Sequence, residues 1–362
     1  MRIEQFKKLD WSLIIVVLLL TAVGLLSNYS ISKETASNIF TRQLIYVILG
    51  FLLMFALVFV DYRIFRDHNF ILLGFYFLGI LFLGTILVMG GEIRGASSWL
   101  RIGKLSFEPV ELIKLAIILV LAKYFSLRHI EVSRFRHLII SGLYILIPFV
   151  LLLLQPELGY ILIIILTWLA IVTVAGIRIR HLIILLLIGL IVVSFSWFYV
   201  LKDYQKERVL TFLNPHSDPW GQGYHIIQSI IAVGSGKLLG RGLGHGTQSQ
   251  LNFLPEQHTD FIFATIAEEW GFLGSFFILI LFGILFFRLI KISLSSSNNF
   301  ARLFAIGAAT MMSLEVIINI GMNMGLFPIM GIPLPFISYG GSSMVMNFVT
   351  LGIIQGIAAR NK

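Results

Sequence analysis

Apolar residues occupy most of the chain in runs of about 20, separated by short polar segments. Runs of this length cross a bilayer as α-helices, because lipid cannot satisfy free backbone groups. The pattern predicts an all-α, polytopic integral membrane protein with about ten transmembrane helices, forming a single transmembrane domain over residues 1–362. The predicted spans are residues 11–28, 43–60, 69–90, 108–126, 138–154, 158–176, 181–201, 261–287, 303–324 and 343–359.

The distribution of basic residues predicts how these spans are oriented. An even number of spans places both termini on one side of the membrane. The termini and the connections on their side hold 16 Lys and Arg residues, against 10 in the other connections, with Lys114 inside a span. Because short cytoplasmic loops are enriched in positive charge, we expect both termini to be cytoplasmic. The one long connection, residues 202–260 between the seventh and eighth spans, is then external.

Composition narrows the class of protein further. Hydrophobic residues make up 58% of the chain and charged residues 12%, which excludes a soluble globular enzyme. The net charge of +9 does not indicate nucleic-acid binding, because the basic residues lie in short clusters rather than along one stripe. With no Cys, there is neither a disulfide nor a thiolate metal site. Cytoplasmic connections are too short to hold a catalytic domain, so any chemistry lies in the membrane or on its outer face.

The external loop is rich in glycine around an apolar patch that includes Ile226 and Ile230. The helical spacing of this patch predicts segments lying in the membrane interface. The glycines are expected to make tight turns. The stretch Gly234 to Lys237 lacks the full frame of a phosphate-binding loop, so no nucleotide site is predicted.

Charges inside apolar spans need a partner or a function, because each costs on the order of 3 kcal/mol at the centre of a membrane helix. Glu108, Glu111 and Lys114 lie on one broad face at the start of the fourth span. Two interpretations are open. Glu111 and Lys114 form an internal pair that stabilises the bundle, or they line a charged wall of an outward-facing cavity.

Two further carboxylates lie at the external ends of spans. Glu157 follows Pro156 in a tight hairpin. Its negative charge is either favoured there by the helix dipole or belongs to a functional site. Asp260 is exposed on its outer side and flanked by apolar residues on its inner side. Such surroundings suit a general base, although a helix N-cap explains the same residue on physical grounds alone.

The last external connection, from Phe327 to Ser343, contains three prolines and two consecutive glycines. A continuous helix is excluded there, and lipid cannot satisfy irregular backbone, so this segment should line a cavity or pack against other helices. A cavity in the outer leaflet that is walled by Arg and Glu suits an amphiphile with an anionic head, such as a lipid-linked pyrophosphate.

Several long motifs together resemble the SEDS family (shape, elongation, division and sporulation proteins), most closely its RodA branch. The resemblance covers essentially the whole chain, and its motifs are residues 217–229, 246–250, 254–263 and 333–343. It departs from the family pattern at Glu108, Val110, Glu157, Met330 and Ser98, the last of which stands where the family is often basic.

This resemblance implies a peptidoglycan glycosyltransferase that polymerises lipid II at the outer face of the cytoplasmic (inner) membrane during elongation. The implied partners are lipid II, the undecaprenyl-pyrophosphate-linked glycan and a class B penicillin-binding protein. Asp260 matches the catalytic Asp of the family. The residues matched to substrate binding are Arg42, Glu111, Lys114, Glu157 and Arg208.

Under this hypothesis Asp260 deprotonates the acceptor hydroxyl as it attacks the anomeric carbon, and the pyrophosphate leaves. Arg42, Arg208 and Lys114 are candidates for neutralising the leaving group. No cofactor is assigned; a divalent cation is compatible with the carboxylates, but no ligand-spacing motif supports one. The competing classes are a lipid II flippase and a noncatalytic scaffold for a penicillin-binding protein. The absence of visible inverted repeats and the external position of Asp260 favour the enzyme.

Overall fold

A computed structural model describes residues 8–35, 38–89, 100–102, 105–127, 135–251 and 253–360. These residues are almost entirely helical. The α-helices are α1 Trp11–Thr35, α2 Ile39–Phe59, α3 Arg63–Asp67, α4 Asn69–Met89, α5 Pro109–Ser126, α6 Phe135–Leu154, α7 Leu158–Ala175, α8 Ile179–Tyr199, α9 Asp203–Leu213, α10 Gln222–Ser235, α11 Thr247–Gln250, α12 Ile262–Ser295, α13 Asn299–Asn323 and α14 Gly341–Arg360. Two short strands, β1 Leu100–Ile102 and β2 Leu105–Phe107, pair antiparallel.

The long helices confirm the all-α membrane fold. Among the described residues, nine helices are long and apolar enough to cross a membrane. The predicted span that is not among these nine is the fourth, residues 108–126. It forms the helix α5, which carries more charge because it contains Glu111, Lys114 and Lys123. Every residue of α5 from Pro109 to Phe125 is buried, so neighbouring helices rather than lipid surround its charges.

Several helix bounds differ from the sequence prediction; α1, for example, continues to Thr35 rather than ending near residue 28. Helix α12 continues to Ser295, well beyond residue 287, and bends at Gly271, whose φ is 67°. A Cβ at Gly271 would lie 2.2 Å from the Gly240 nitrogen, so the bend lets the segment that contains Gly240 pack closely on the helix. The hairpin of β1 and β2 was not predicted, because three-residue strands are too short to show a clear alternation.

The core is built from helices distant in sequence. Helix α14 packs along α2, and α13 packs against α5, α7 and α12. The approach of α14 to α2 needs a residue without a side chain, since a Cβ at Gly352 would lie 2.9 Å from the Met54 carbonyl oxygen. Helix α8 is peripheral, and none of its residues is buried.

Contacts between helix termini define two ends of the bundle. At the first, called the Asp10 end, Asp10 before α1 contacts Arg288 of α12 and Gln355 of α14. At the second, called the Asp260 end, α5, α7, α12 and α14 begin and α13 finishes. Each of the two ends of the bundle therefore carries its own set of charged and polar groups.

Two adjacent carboxylates hold the segment 202–260 against the bundle. The Glu268 carboxylate accepts hydrogen bonds from the backbone N–H groups of Gln248 (2.8 Å) and Ser249 (3.0 Å), at the start of α11. Glu269 accepts from the Gly244 N–H at 3.0 Å. The glycines of this loop make the expected tight turns, with positive φ at Gly240, Gly242 and Gly244.

Candidate active site

Asp260 lies in an irregular segment directly before α12 and is half-buried. The N-cap position of α12 belongs to Phe261, and the first-turn N–H of Ala264 donates to the Asn323 side chain at 3.1 Å. Since Asn323 supplies this acceptor from another helix, the structure does not favour the N-cap interpretation of Asp260.

Two buried amides hold the main chain of Asp260. Its carbonyl oxygen accepts from Nδ2 of Asn319 at 3.1 Å and from Nδ2 of Asn323 at 2.9 Å. Its carboxylate lies beside Gly331, where an added Cβ would be 3.8 Å from Oδ2 of Asp260. The backbone is thus fixed from inside the bundle, and the carboxylate lies against the irregular segment that follows α13.

That segment, from Met324 to Gly340, contains no helix, as its prolines predicted. The Ser338 hydroxyl donates to the Thr259 carbonyl at 2.7 Å, and the Tyr339 N–H donates to the His258 carbonyl at 2.8 Å. The backbone N–H of Tyr339 is therefore paired with a residue that precedes α12 rather than left to lipid, and the Ser338 side chain adds a second tie.

His258 is the titratable neighbour of this segment. Burial lowers the pKa of His258 below 6.5, and the Glu256 carboxylate 3.8 Å away opposes that shift. The imidazole faces the Tyr339 ring at a centroid distance of 5.5 Å. We therefore expect His258 to be neutral at pH 7.

Arg42 lies exposed in the first turns of α2, at the Asp260 end. The next residue, Gln43, is buried, donates to the Ser338 carbonyl at 3.0 Å and accepts from the Gly340 N–H at 3.4 Å. Gln43 therefore anchors the start of α2 to the irregular segment and places Arg42 beside it.

Glu111 and Lys114 form a buried group with a third member. The Lys114 ammonium lies 2.8 Å from Glu111 and also contacts Glu315 of α13, and all three side chains are about 1% exposed. The Tyr160 ring covers the same ammonium, with its centroid 5.2 Å from Nζ. This geometry favours the internal pair over direct contact of Lys114 with substrate, and it enlarges that pair to a triad.

Glu315 was not identified as a candidate site residue from the sequence. It is an acidic residue within an apolar span, so the same rule that selected Glu111 and Lys114 applies to it. The rule does not give its partner, because Lys114 is 201 residues away.

Further charges lie near this triad, at the starts of α5 and α7. Tyr160 is within electrostatic range of Glu108, Glu111 and Glu157. Glu157 occupies the N-cap position of α7 without a side-chain capping hydrogen bond. Three carboxylates therefore gather where α5 and α7 begin.

Arg208 reaches the same region through α9. Burial raises the pKa of Tyr204, on α9, and its neighbours Arg208 and Glu157 act on it in opposite directions. The Nε atom of Arg208 is buried and has no hydrogen-bond partner among the residues that the structure describes. The unpaired N–H suits a ligand acceptor.

The triad and Asp260 are linked by α13, which presents Glu315, Asn319 and Asn323 at intervals of four residues on one face. Gly159 adds a second link, since a Cβ there would lie 3.0 Å from the Met330 side chain. The structure thus brings Asp260, the triad and the surroundings of Glu157 to one end of the bundle. Ser98 lies outside the described residues, and within them no group of three or more His, Asp or Glu residues could hold a metal ion.

Comparison with known proteins decides the family. The sequence profile of the FtsW/RodA/SpoVE family, described as cell cycle protein, matches residues 10–362. The chain belongs to this family. The FtsW/RodA/SpoVE match confirms the SEDS resemblance and, with the apolar helices, a multi-pass membrane protein.

Curated relatives of the FtsW/RodA/SpoVE family match over almost their full lengths. Stage V sporulation protein E of Bacillus subtilis is 38% identical over 357 residues, covering 96% of this chain and 96% of the relative. Peptidoglycan glycosyltransferase MrdB of Escherichia coli is 34% identical over 354 residues, covering 98% and 94%.

Solved structures agree with this relationship. A chain from a peptidoglycan synthase complex, described as coordinating polymerization and crosslinking, is 35% identical with a TM-score of 0.82, covering 98% of both chains. The rod shape determining protein RodA of Thermus thermophilus is 30% identical with a TM-score of 0.71, covering 97% of this chain and 96% of that one.

Proposed function

We propose that this chain is a peptidoglycan glycosyltransferase that polymerises lipid II at the outer face of the cytoplasmic membrane during cell elongation. A relative that covers nearly all of the chain carries the name peptidoglycan glycosyltransferase. The observation that carries the proposal is the placement of Asp260: the residue is half-buried with its carboxylate beside Gly331, while its main chain is anchored inside the bundle.

In this mechanism Asp260 is the general base. It removes the proton from the acceptor sugar hydroxyl as that oxygen attacks the anomeric carbon of the undecaprenyl-pyrophosphate-linked glycan. The bond to pyrophosphate breaks, and the configuration at the anomeric carbon inverts. Because pyrophosphate is a good leaving group, the chemistry needs charge neutralisation there rather than a second carboxylic acid.

Arg42 and Arg208 are the proposed ligands of the pyrophosphate. Arg42 is exposed beside the irregular segment, and Arg208 has a buried N–H without a partner in the described part of the chain. A guanidinium can bind phosphate oxygens through two parallel hydrogen bonds. Glu157, Glu111 and Lys114 then form the wall behind the substrate, with Lys114 acting through the field of the triad.

The test is polymerisation of lipid II by purified full-length protein and its Asp260→Asn variant. Asn keeps the size of Asp but is not basic, so we expect turnover to fall by roughly 10² to 10⁴ while thermal unfolding stays near wild type. Asp203→Asn is a matched control at an exposed Asp of α9 and should retain full activity. Near-normal polymer yield from folded Asp260→Asn protein would defeat the mechanism.

The same variant separates the alternative functions. A flippase that uses Asp260 only for recognition would still transport lipid II, and a scaffold would still support its partner. We propose a class B penicillin-binding protein as that partner, because the similar solved chain belongs to a peptidoglycan synthase complex that coordinates polymerization and crosslinking.

We further propose that the Asp260 end and residues 202–260 face the outside, while both termini are cytoplasmic. The count of basic residues supports this orientation. Since the chain lacks Cys, His216→Cys and Ser297→Cys each create a single labelling site. An impermeant thiol reagent added to intact cells should label position 216 and leave 297 unlabelled; the reverse pattern would overturn the orientation.

A further inference from the structure

We propose that Asn319 and Asn323 are positioning residues, which hold the main chain of Asp260 where its carboxylate can reach the acceptor hydroxyl. This inference rests on the proposed function, because it assumes that Asp260 is the general base. It assigns a role in the reaction to two buried amides that lie outside the charged groups discussed above.

The backbone of Asp260 has little regular structure of its own. The residues from Leu254 to Phe261 form successive turns rather than a helix or strand. A residue in such a segment keeps its position only through contacts with the rest of the protein. For Asp260 these contacts include two side-chain amides that donate to the same carbonyl oxygen, at 3.1 Å and 2.9 Å.

Both donors come from the buried interior of a long helix. Asn319 and Asn323 are completely buried, and they lie one turn apart on α13. Nδ2 of Asn323 also donates to the Asn319 main-chain carbonyl at 2.8 Å and lies 3.4 Å from Oδ1 of Asn319, a contact that links the two side chains. A buried amide that has these partners is held in one orientation, since losing a partner inside the bundle is costly.

Asn319 also binds the segment that lies against the Asp260 carboxylate. Its Nδ2 donates to the Ile332 carbonyl at 2.7 Å, next to Gly331, against which the Asp260 carboxylate lies. One side chain therefore joins the Asp260 main chain and the segment facing its carboxylate. The distance between the Asp260 main chain and the segment that contains Gly331 and Ile332 therefore depends directly on Asn319.

Asn323 joins a different set of elements. Its Oδ1 accepts from the Ala264 N–H at 3.1 Å, and its carbonyl accepts from the Ser229 hydroxyl of α10 at 2.8 Å. A substitution at Asn323 would remove the acceptor of the Ala264 N–H and so disturb the start of α12 as well as Asp260, whereas the Ser229 bond goes to the main chain. Asn319 is therefore the sharper position for a test.

Small displacements of a general base have large effects on rate, because proton abstraction needs hydrogen-bond geometry in the transition state. Substrate binding depends on other groups, chiefly Arg42 and Arg208 in the proposed mechanism. Loss of the amide should thus lower kcat and leave KM almost unchanged. A general weakening of the fold would instead change the folded fraction or both constants.

The experiment compares Asn319→Leu with Asn347→Leu in full-length protein, with lipid II as the substrate. Asn347 is a matched control: a buried Asn on α14 whose Nδ2 donates locally to the Ser343 hydroxyl at 3.3 Å. We expect Asn319→Leu to lower kcat about 10- to 100-fold with KM within about twofold. The control should stay within about threefold of wild type, at a similar unfolding temperature.

Asn319→Ser is the second variant, because the smaller side chain cannot overpack the site and cannot bridge the two carbonyls; the same loss of kcat is expected. A kcat within threefold of the control for a folded Asn319 variant, or a fall in kcat with a matching rise in KM, would overturn the inference. If Asp260→Asn protein remains inactive in that case, the proposed function survives. If Asp260→Asn protein is fully active, the proposed mechanism is wrong, and the inference about Asn319 is wrong with it.

Discussion

Two groups of charged side chains lie at opposite ends of the bundle and differ in their ratio of basic to acidic residues. At the Asp10 end one guanidinium meets one carboxylate, with Nε of Arg288 3.1 Å and 2.9 Å from the two Asp10 oxygens. Gln355 donates to the Asp10 carbonyl at 3.0 Å and accepts from the Asp10 N–H at 2.9 Å. The charges balance, and α1, α12 and α14 are tied together.

At the other end two carboxylates share one ammonium. Lys114 contacts Glu111 and Glu315, all about 1% exposed, and one oxygen of Glu315 is buried without a hydrogen-bond partner in the described ranges. A buried carboxylate oxygen without a partner costs free energy, so stability alone does not account for this arrangement. The contrast suggests that the Asp10 group serves the fold and that the triad serves the site.

Among changes to these two charged groups, the largest effect is expected from Lys114→Met. Removing the ammonium leaves Glu111 and Glu315 buried without their common partner, and breaking such a group costs about 3 to 5 kcal/mol. Because Glu315 lies one turn from Asn319 on α13, we expect polymerisation of lipid II to fall at least about 100-fold per folded molecule. Turnover and thermal unfolding of purified protein measure both effects. Activity near wild type would show that the triad is only structural.

Glu315→Gln should have an intermediate effect and sharpens the contrast. It keeps the shape and leaves one carboxylate for Lys114, so the triad would resemble the balanced Asp10 group. We expect unfolding at the same or a higher temperature, because the surplus charge is gone, and a turnover lower by about tenfold. A less stable protein with unchanged turnover would reverse the assignment.

Asp10→Asn should change activity least. The Arg288 guanidinium loses its ionic partner, and hydrogen bonds to charged groups contribute about 1.5 to 3 kcal/mol, so thermal stability should fall. Turnover per folded molecule should remain within about twofold of wild type, because Asp10 lies at the end of the bundle away from Asp260. A selective loss of turnover without loss of stability would contradict the division between fold and site.

Much of this architecture was predictable from sequence. Nine apolar helices, the helix α5 and an irregular segment after α13 were expected, although α14 begins at Gly341, inside the connection predicted over residues 327–343. The position of Asp260 next to the start of α12 was also expected, although its exclusion from the N-cap was not. These features depend on local patterns of hydrophobicity, proline and glycine, which a linear reading detects directly.

The supporting residues of the site were not predictable in the same way. Asn319 and Asn323 look like ordinary polar residues in a membrane helix until α12 and the residues before it are packed against α13. Gln43 likewise shows no signal of its contacts with Ser338 and Gly340. Each role depends on which carbonyl or N–H a distant segment presents, and that depends on packing.

The sequence by itself therefore determined that this chain crosses the membrane repeatedly, where the segments between its long helices lie, and that Asp260 is the leading candidate for a general base. Only the tertiary structure decided that Lys114 is shared between Glu111 and Glu315, and that two amides hold the Asp260 main chain. The physical reason is the separation along the chain between the residues that interact. Transfer of a helix into lipid depends on its own composition, whereas a buried charge or amide depends on a partner that lies 201 residues away for Lys114 and Glu315, and 59 for Asp260 and Asn319.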